Sequence, residues 1–187
     1  MSSHLFPIRI VTPRLVIRCK SPADAPLLKD ALDSSLPHLQ RWMPWALDEP
    51  SSIDVLEARL AKFQADFNAG RDWPYGIFSA DESQILGGTG LHPRGEVDEI
   101  EIGYWIRVSA EGHGYVTESV RALTKVAFGA PVVSKVIIKC DPANTRSAAV
   151  PKRVGFHFAG FVPTAAPTCS RTHDMVWHMT REVFSGL

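Results

Sequence analysis

The stretch Glu101-Ile-Gly-Tyr-Trp-Ile-Arg-Val-Ser-Ala-Glu-Gly-His-Gly-Tyr-Val-Thr-Glu118 reads as a strand, a glycine turn and the start of a helix. Its first part belongs to a run from Asp98 to Arg107. There Ile100, Ile102 and Tyr104 fall on one face and Glu99, Glu101 and Gly103 on the other, the period of two that marks a strand. Glu111 to Gly114 is the turn. From there to about Phe128, the residues Val116, Val120, Leu123, Thr124 and Ala127 recur at helical spacing and form an inward stripe. A strand that ends in small residues ahead of a helix presents free backbone N–H groups, and the positive end of a helix dipole, to an anion. Glycine also lets phosphate oxygens approach the backbone closely. Many such turns only connect elements, so this feature alone admits phosphate binding without requiring it.

Upstream, Arg14-Leu-Val-Ile-Arg18 alternates polar and apolar as a half-buried strand does. Ser21-Pro22 then has the form of an N-cap with proline at the first helical position, opening a helix to about Leu32 that holds Pro26 in its first turns. A tryptophan-rich stretch, Leu36 to Trp45, follows. Ser51-Ser52 caps a clearer helix carrying Ile53, Leu56, Leu60, Phe63 and Phe67, and Gly70 ends it. Tyr75 to Ser79 and Ile85 to His92 are strands joined by a turn at Asp81-Glu-Ser83.

Downstream, Val136 to Cys140 is a short continuous apolar run, the pattern of a fully buried strand. Asn144 opens another helix, Gly155 ends it, and Phe156 to Phe161 begins a return strand; a last strand spans about Thr172 to Thr180. Strands and helices alternate, so the class is α/β (α+β) with a mixed sheet.

The 187 residues suit one domain, 1–187, with a real hydrophobic core. Twenty basic residues balance twenty acidic ones, so net charge gives no reason to expect a nucleic-acid or membrane partner. Cys19, Cys140 and Cys169 form no CxxC or Cys/His cluster, which argues against structural zinc, any other metal site and a disulfide framework. Met1 to Arg14 lacks the apolar core of a signal peptide, and no window approaches a membrane span. A cytoplasmic soluble protein is expected.

The quoted stretch resembles the acetyl-CoA signature of the GNAT acetyltransferases, a Q/R-x-x-G-x-G/A turn after the fourth strand. Glu111 takes the Gln/Arg position, Gly114 the first glycine and Val116 the Gly/Ala position. A second signature, Asn-x-x-Ser followed by Gly-Phe, appears as Asn144-Thr-Arg-Ser147 and Gly155-Phe156. Thr12-Pro-Arg-Leu-Val-Ile-Arg18 and Trp42-Met-Pro-Trp45 are similar to the branch of ribosomal-protein N-terminal acetyltransferases, the RimJ/RimL-like enzymes. The matches run in order through nearly the whole chain, which makes the set far more specific than any member.

The resemblance implies a mostly antiparallel central sheet of about seven strands, flanked by about four helices and splayed where coenzyme A binds. It implies acetyl-CoA as cosubstrate and a primary amine, foremost a protein N-terminal α-amine, as acceptor, in a monomer or homodimer. Backbone N–H groups of Glu111, Gly112, His113, Gly114, Tyr115 and Val116 would hold the pyrophosphate. Ile106, Arg107 and Val108 would splay from the neighbouring strand and bind the pantetheine amide, one N–H polarising the thioester carbonyl. Asn144 would bond to the pantetheine arm. Glu111 departs from the pattern by placing a carboxylate where repulsion with a phosphate at ~4 Å costs about 1 kcal/mol in water. Val116 departs by its β-branched bulk, and both departures point to weakened binding.

Glu101 is the candidate base, with Glu99 on the same face in reserve; a solvated strand carboxylate is the competing reading. Ser147 is the candidate acid, against the alternative of a serine satisfying backbone groups in a first helical turn. Pro151 removes the N–H that would bond to the Ser147 carbonyl, so a kink or a late helix start would move the hydroxyl. His113 is expected at solvent or phosphate, and Cys140 as an inert core thiol. The competing functions are acetylation of a small amine, and a degenerate acyl-CoA-binding module suggested by Glu111, Val116 and Pro151.

Overall fold

A computed structural model describes residues 5–165 and 171–186; the cysteine at 169 lies outside them. The strands are β1 (Arg9–Val11), β2 (Leu15–Cys19), β3 (Trp73–Ser79), β4 (Ile85–His92), β5 (Glu99–Ile106), β6 (Lys135–Cys140), β7 (His157–Pro163) and β8 (His173–Thr180). The helices are α1 (Ala25–Asp33), α2 (Leu36–Trp42), α3 (Ile53–Asn68), α4 (Tyr115–Gly129), α5 (Thr145–Val154) and α6 (Arg181–Ser185), with short 3-10 turns at Pro22–Asp24, Pro44–Asp48 and Val108–Ala110. All eight strands join one sheet in the order β1-β2-β3-β4-β5-β6-β8-β7. Every neighbouring pair is antiparallel except β5 with β6.

The mixed, mostly antiparallel sheet is the expected one, with eight strands rather than about seven and six α-helices among the described residues rather than about four. The additions are short. β1 has three residues, α2 seven and α6 five, too few for a period of two or 3.6 to show.

Strand alternation sorts the core onto the two sheet faces. Leu15 and Ile17 point with Tyr75, Leu91, Ile100 and Ile102 toward Val120, Leu123 and Ala127 of α4 and Val150 of α5. Val16 points the other way, with Phe78 and Ile85, toward Leu28 and Leu32 of α1, Leu39 of α2 and Leu56 and Leu60 of α3.

One feature of the register positions the site. The parallel β5–β6 pairing runs from Glu99↔Lys135 to Glu101↔Ile137 and stops there, although β5 continues to Ile106 and β6 to Cys140. β6 instead pairs along its whole length with β8, from Lys135↔Thr180 to Cys140↔Met175. The sheet therefore opens into a V just beyond Glu101.

On the α1 face, Arg18 makes a bidentate pair with Asp24, Nη1 to Oδ2 at 2.9 Å and Nη2 to Oδ1 at 2.8 Å, while Ser21 N–H donates to Asp24 Oδ2 at 2.7 Å. Burial opposes ionisation of Asp24, but these donors outweigh it and hold the carboxyl below its usual range. A depressed acid contributes stability that is complete above its unfolded pKa, about 4, and is lost as pH falls through the lower folded value. Asp24→Asn is expected to lower unfolding stability by about 2 kcal/mol near neutral pH, and by progressively less below pH ~4, in urea titrations at several pH values.

Candidate active site

The turn between β5 and α4 is shaped for an anion. Gly112 and Gly114 both hold φ of +78°, a left-handed conformation that residues with a Cβ adopt only under strain, and Gly114 is the N-cap of α4. Glu118 N–H donates to Gly114 O at 3.0 Å, so the N–H groups of Tyr115, Val116 and Thr117 stand without helical partners at the helix start. With the backbone of the turn they form a concave nest of donors. Arg14 fixes this nest to the β1–β2 hairpin: Nη1 donates to His113 O at 2.9 Å and Nε to Glu118 Oε2 at 2.7 Å. The Arg14 guanidinium also lies 4.9 Å from the centroid of the Tyr115 ring, against which the His113 ring stacks.

From the nest a cleft of about 1570 Å³ passes between α4 and α5 and through the V of the sheet. Tyr104, Ile106, Asn144 and Ser147 line its middle, and Trp42, Met43 and Trp105 line its far mouth on the α1–α3 face. Five cationic side chains on the nest side (Arg14, Arg121, Lys125, Arg146 and Arg153) line it against two carboxylates, Glu111 and Glu118, and Arg41 lines the mouth. Both carboxylates are ion-paired, Glu118 with Arg14 and Glu111 with Arg146. A ligand carrying several phosphate charges fits this end of the cleft.

The three departures from the family pattern take specific positions. The Glu111 carboxylate is drawn sideways between Arg146 Nη1 at 2.6 Å and His38 Nε2 at 3.1 Å. Val116 is partly buried and packs its branch against the core under α4. Pro151 sits inside α5, which runs unbroken from Thr145 to Val154. The ring leaves the Ser147 carbonyl without its helical donor, and Tyr104 Oη supplies one from β5 at 2.9 Å, while Ser147 Oγ donates to Tyr104 Oη at 3.3 Å. The expected displacement of Ser147 is replaced by an anchor across the V. Asn144 Oδ1 caps α5 by accepting from Ser147 N–H at 3.0 Å, so its side-chain NH2 is the group left for a ligand.

Tyr104 was legible in the sequence only as a core-facing residue; no pattern marked its hydroxyl. Burial pushes its phenol well above the usual value, which keeps it a neutral hydrogen-bond donor. Tyr104→Phe orphans the Ser147 carbonyl and is expected to cost about 1–3 kcal/mol in chemical denaturation.

The other predicted residues separate into two groups. The Ile106 backbone faces the V. Arg107 N–H donates to Leu86 O of β4 at 2.8 Å, so by strand alternation the N–H groups of Ile106 and Tyr104 point to the opened side. Arg107 and Val108 turn away. The Arg107 side chain bonds Asp30 at 2.9 Å and Ser34 at 3.2 Å, and Val108 N–H donates to Ser35 Oγ at 3.1 Å. Glu101 lies at the apex of the V on the α1–α3 face, with Oε2 3.2 Å from Lys139 Nζ, and Glu99 is paired with Lys135 at 2.6 Å. Cys140 is buried, and burial pushes its thiol up to about 11. Among the described residues, no group of three or more His, Cys, Asp or Glu side chains is placed to hold a metal, and no helix is long and apolar enough to cross a membrane.

Comparison with known proteins agrees with this geometry. The chain is 29% identical to YdaF of Bacillus subtilis (strain 168) over 177 residues, covering 90% of this chain and 91% of that protein. It is 26% identical to the ribosomal protein uS5-alanine N-acetyltransferase of Escherichia coli (strain K12), covering 85% and 83%. The fold superposes on RimL, a ribosomal L7/L12 α-N-protein acetyltransferase solved with coenzyme A, with a TM-score of 0.81 over 95% of this chain and 98% of that one at 20% identity. The acetyltransferase (GNAT) domain family matches residues 14–157, and with a sheet that opens beyond Glu101 and a donor nest at Gly112–Thr117 the chain belongs to that family as an acyltransferase.

Proposed function

We propose that the chain is an acetyl-CoA-dependent N-acetyltransferase whose acceptor is the α-amine of a protein N-terminus, that residues 1–187 act as one catalytic unit, and that it works in the cytoplasm. The observation that carries this reading is the cleft itself, cationic at the nest, passing through the sheet and ending in an aromatic mouth. The pyrophosphate would lie on the N–H groups of Gly112 to Val116, and the pantetheine arm between Asn144 and the β5 backbone at Tyr104 and Ile106. The E. coli relative, named for an alanine of uS5, supports a protein terminus. So does the mouth, where Arg41, Trp42, Met43 and Trp105 suit a peptide better than a polycation.

The chemistry asks little of the protein beyond placement. An α-amine, with a reference pKa of about 8, is partly neutral near pH 7, whereas a lysine at about 10.4 is almost wholly charged. Glu101, on the acceptor side of the V, takes the amine proton directly or through water. An N–H of the opened β5 polarises the thioester carbonyl. Ser147, on the other side and held by Tyr104, protonates the departing thiolate. Acetylation rates for a peptide with a free α-amine, the same peptide with that amine blocked, and a polyamine test the reading. The free peptide is expected to have the highest kcat/KM; a faster polyamine would assign the enzyme to small amines.

A further inference from the structure

A second candidate base stands beside Glu101, and nothing in the mechanism above uses it. His92 ends β4 and lies opposite Glu101 in the antiparallel register. On its other side is Asp72, one residue before β3, whose Oδ1 is 2.6 Å from His92 Nδ1. Asp72 just before β3, His92 and Glu101 thus fall in one row across the sheet, with Lys139 of β6 paired to Glu101 at the point where β5 and β6 part. The row lies on the acceptor face, since Trp105 at the cleft mouth, Gly103 and Glu101 share a side of β5. None of these four side chains is sealed from water: exposure is 32% for Asp72, 18% for His92, 21% for Glu101 and 34% for Lys139.

The floor of this face is cut away to let the rings lie flat. A Cβ at Gly90 would meet His92 Nε2 at 2.3 Å, and one at Gly88 would meet the Trp105 indole at the same distance. His92 and Trp105 therefore lie over backbone rather than over side chains. With Nδ1–H donating to the Asp72 carboxylate, His92 keeps its lone pair on Nε2, the arrangement by which a carboxylate orients an imidazole for proton transfer.

We propose that His92, oriented by Asp72, is a second catalytic base that takes the first proton of the acceptor ammonium, leaving to Glu101 the proton that the amine sheds as the amide forms. The inference rests on the acetyltransferase reading and deepens it. The ammonium gives one proton to His92 Nε2; the amine nitrogen bonds to the acetyl carbon as the carbon–sulfur bond breaks. The thiolate takes a proton from Ser147, the nitrogen passes its second proton to Glu101, and solvent takes up the protons of His92 and Glu101 and returns one to Ser147. Asp72 is a positioning residue acting through His92.

The test uses the full chain with whichever amine the wild type acetylates, so that failure on peptides overturns the N-terminal acceptor while leaving His92 to be tested on a small amine. Wild-type inactivity with every amine overturns both. His92→Gln and His92→Ala are expected to lower kcat/KM by about 10- to 100-fold, with acetyl-CoA affinity by calorimetry unchanged. Imidazole in the assay is expected to restore part of the activity of His92→Ala but none of Asp72→Asn, which keeps its ring. Either His92 variant within about threefold of wild type, or a His92→Ala loss that imidazole leaves untouched, overturns the role.

Discussion

Gly114→Val is expected to weaken acetyl-CoA binding about 100-fold while the protein stays folded. Gly114 holds φ of +78° at the N-cap of α4, and a β-branched residue relieves the strain of that conformation only by leaving it. Leaving it rotates the peptide on each side and turns the adjoining N–H groups out of the nest. Two hydrogen bonds to a charged oxygen, at about 1.5 kcal/mol each, correspond to about 100-fold in affinity. The residue is exposed, so the fold bears only the local strain, ~1–2 kcal/mol against the ~5–15 typical of a domain. Calorimetric titration with acetyl-CoA and a thermal melt check the two halves separately. Near-wild-type affinity would place the pyrophosphate elsewhere.

Glu101→Gln is expected to lower kcat by about 100-fold or more with acetyl-CoA affinity unchanged, the scale on which a positioned proton acceptor acts. The residue sits across the sheet from the nest, so removing its charge leaves the cosubstrate contacts in place. Single-turnover acetylation at saturating acetyl-CoA separates the chemical step from binding. A change confined to KM would make Glu101 a binding residue for the amine alone.

Much of this architecture is written in local pattern. The alternation of Glu99 to Tyr104 and the stripe from Val116 to Ala127 give the right elements because one face of each is buried, and the turn at Glu111 to Gly114 shows in its glycines. The short elements escaped for the opposite reason: β1 and α6 take their shape from neighbours, β1 from β2 and α6 from the end of β8. The V was implied by resemblance, but the place where it opens is a matter of register, which no single segment encodes.

The site residues divide along the same line. Asn144, Ser147 and the glycine turn are local motifs. Tyr104 reaches Ser147 across 43 positions, and Arg14 reaches Glu118 across 104, so their roles exist only once the chain has folded. Glu111 shows the converse. Its charge suggested repulsion with phosphate, and the neighbours that absorb that charge, His38 and Arg146, come from two other helices. Arg107 and Val108 continue the strand pattern in sequence, but contacts to α1 and Ser35 carry them off the wall of the cleft.

The most direct test of the central claim is release of free coenzyme A thiol when the purified chain meets acetyl-CoA and a peptide with an open α-amine. Thiol release in step with acetylation of that amine, and absent when the amine is blocked, is the result this structure predicts. No release with any amine, despite bound acetyl-CoA, would contradict it and leave a binding module in place of an enzyme.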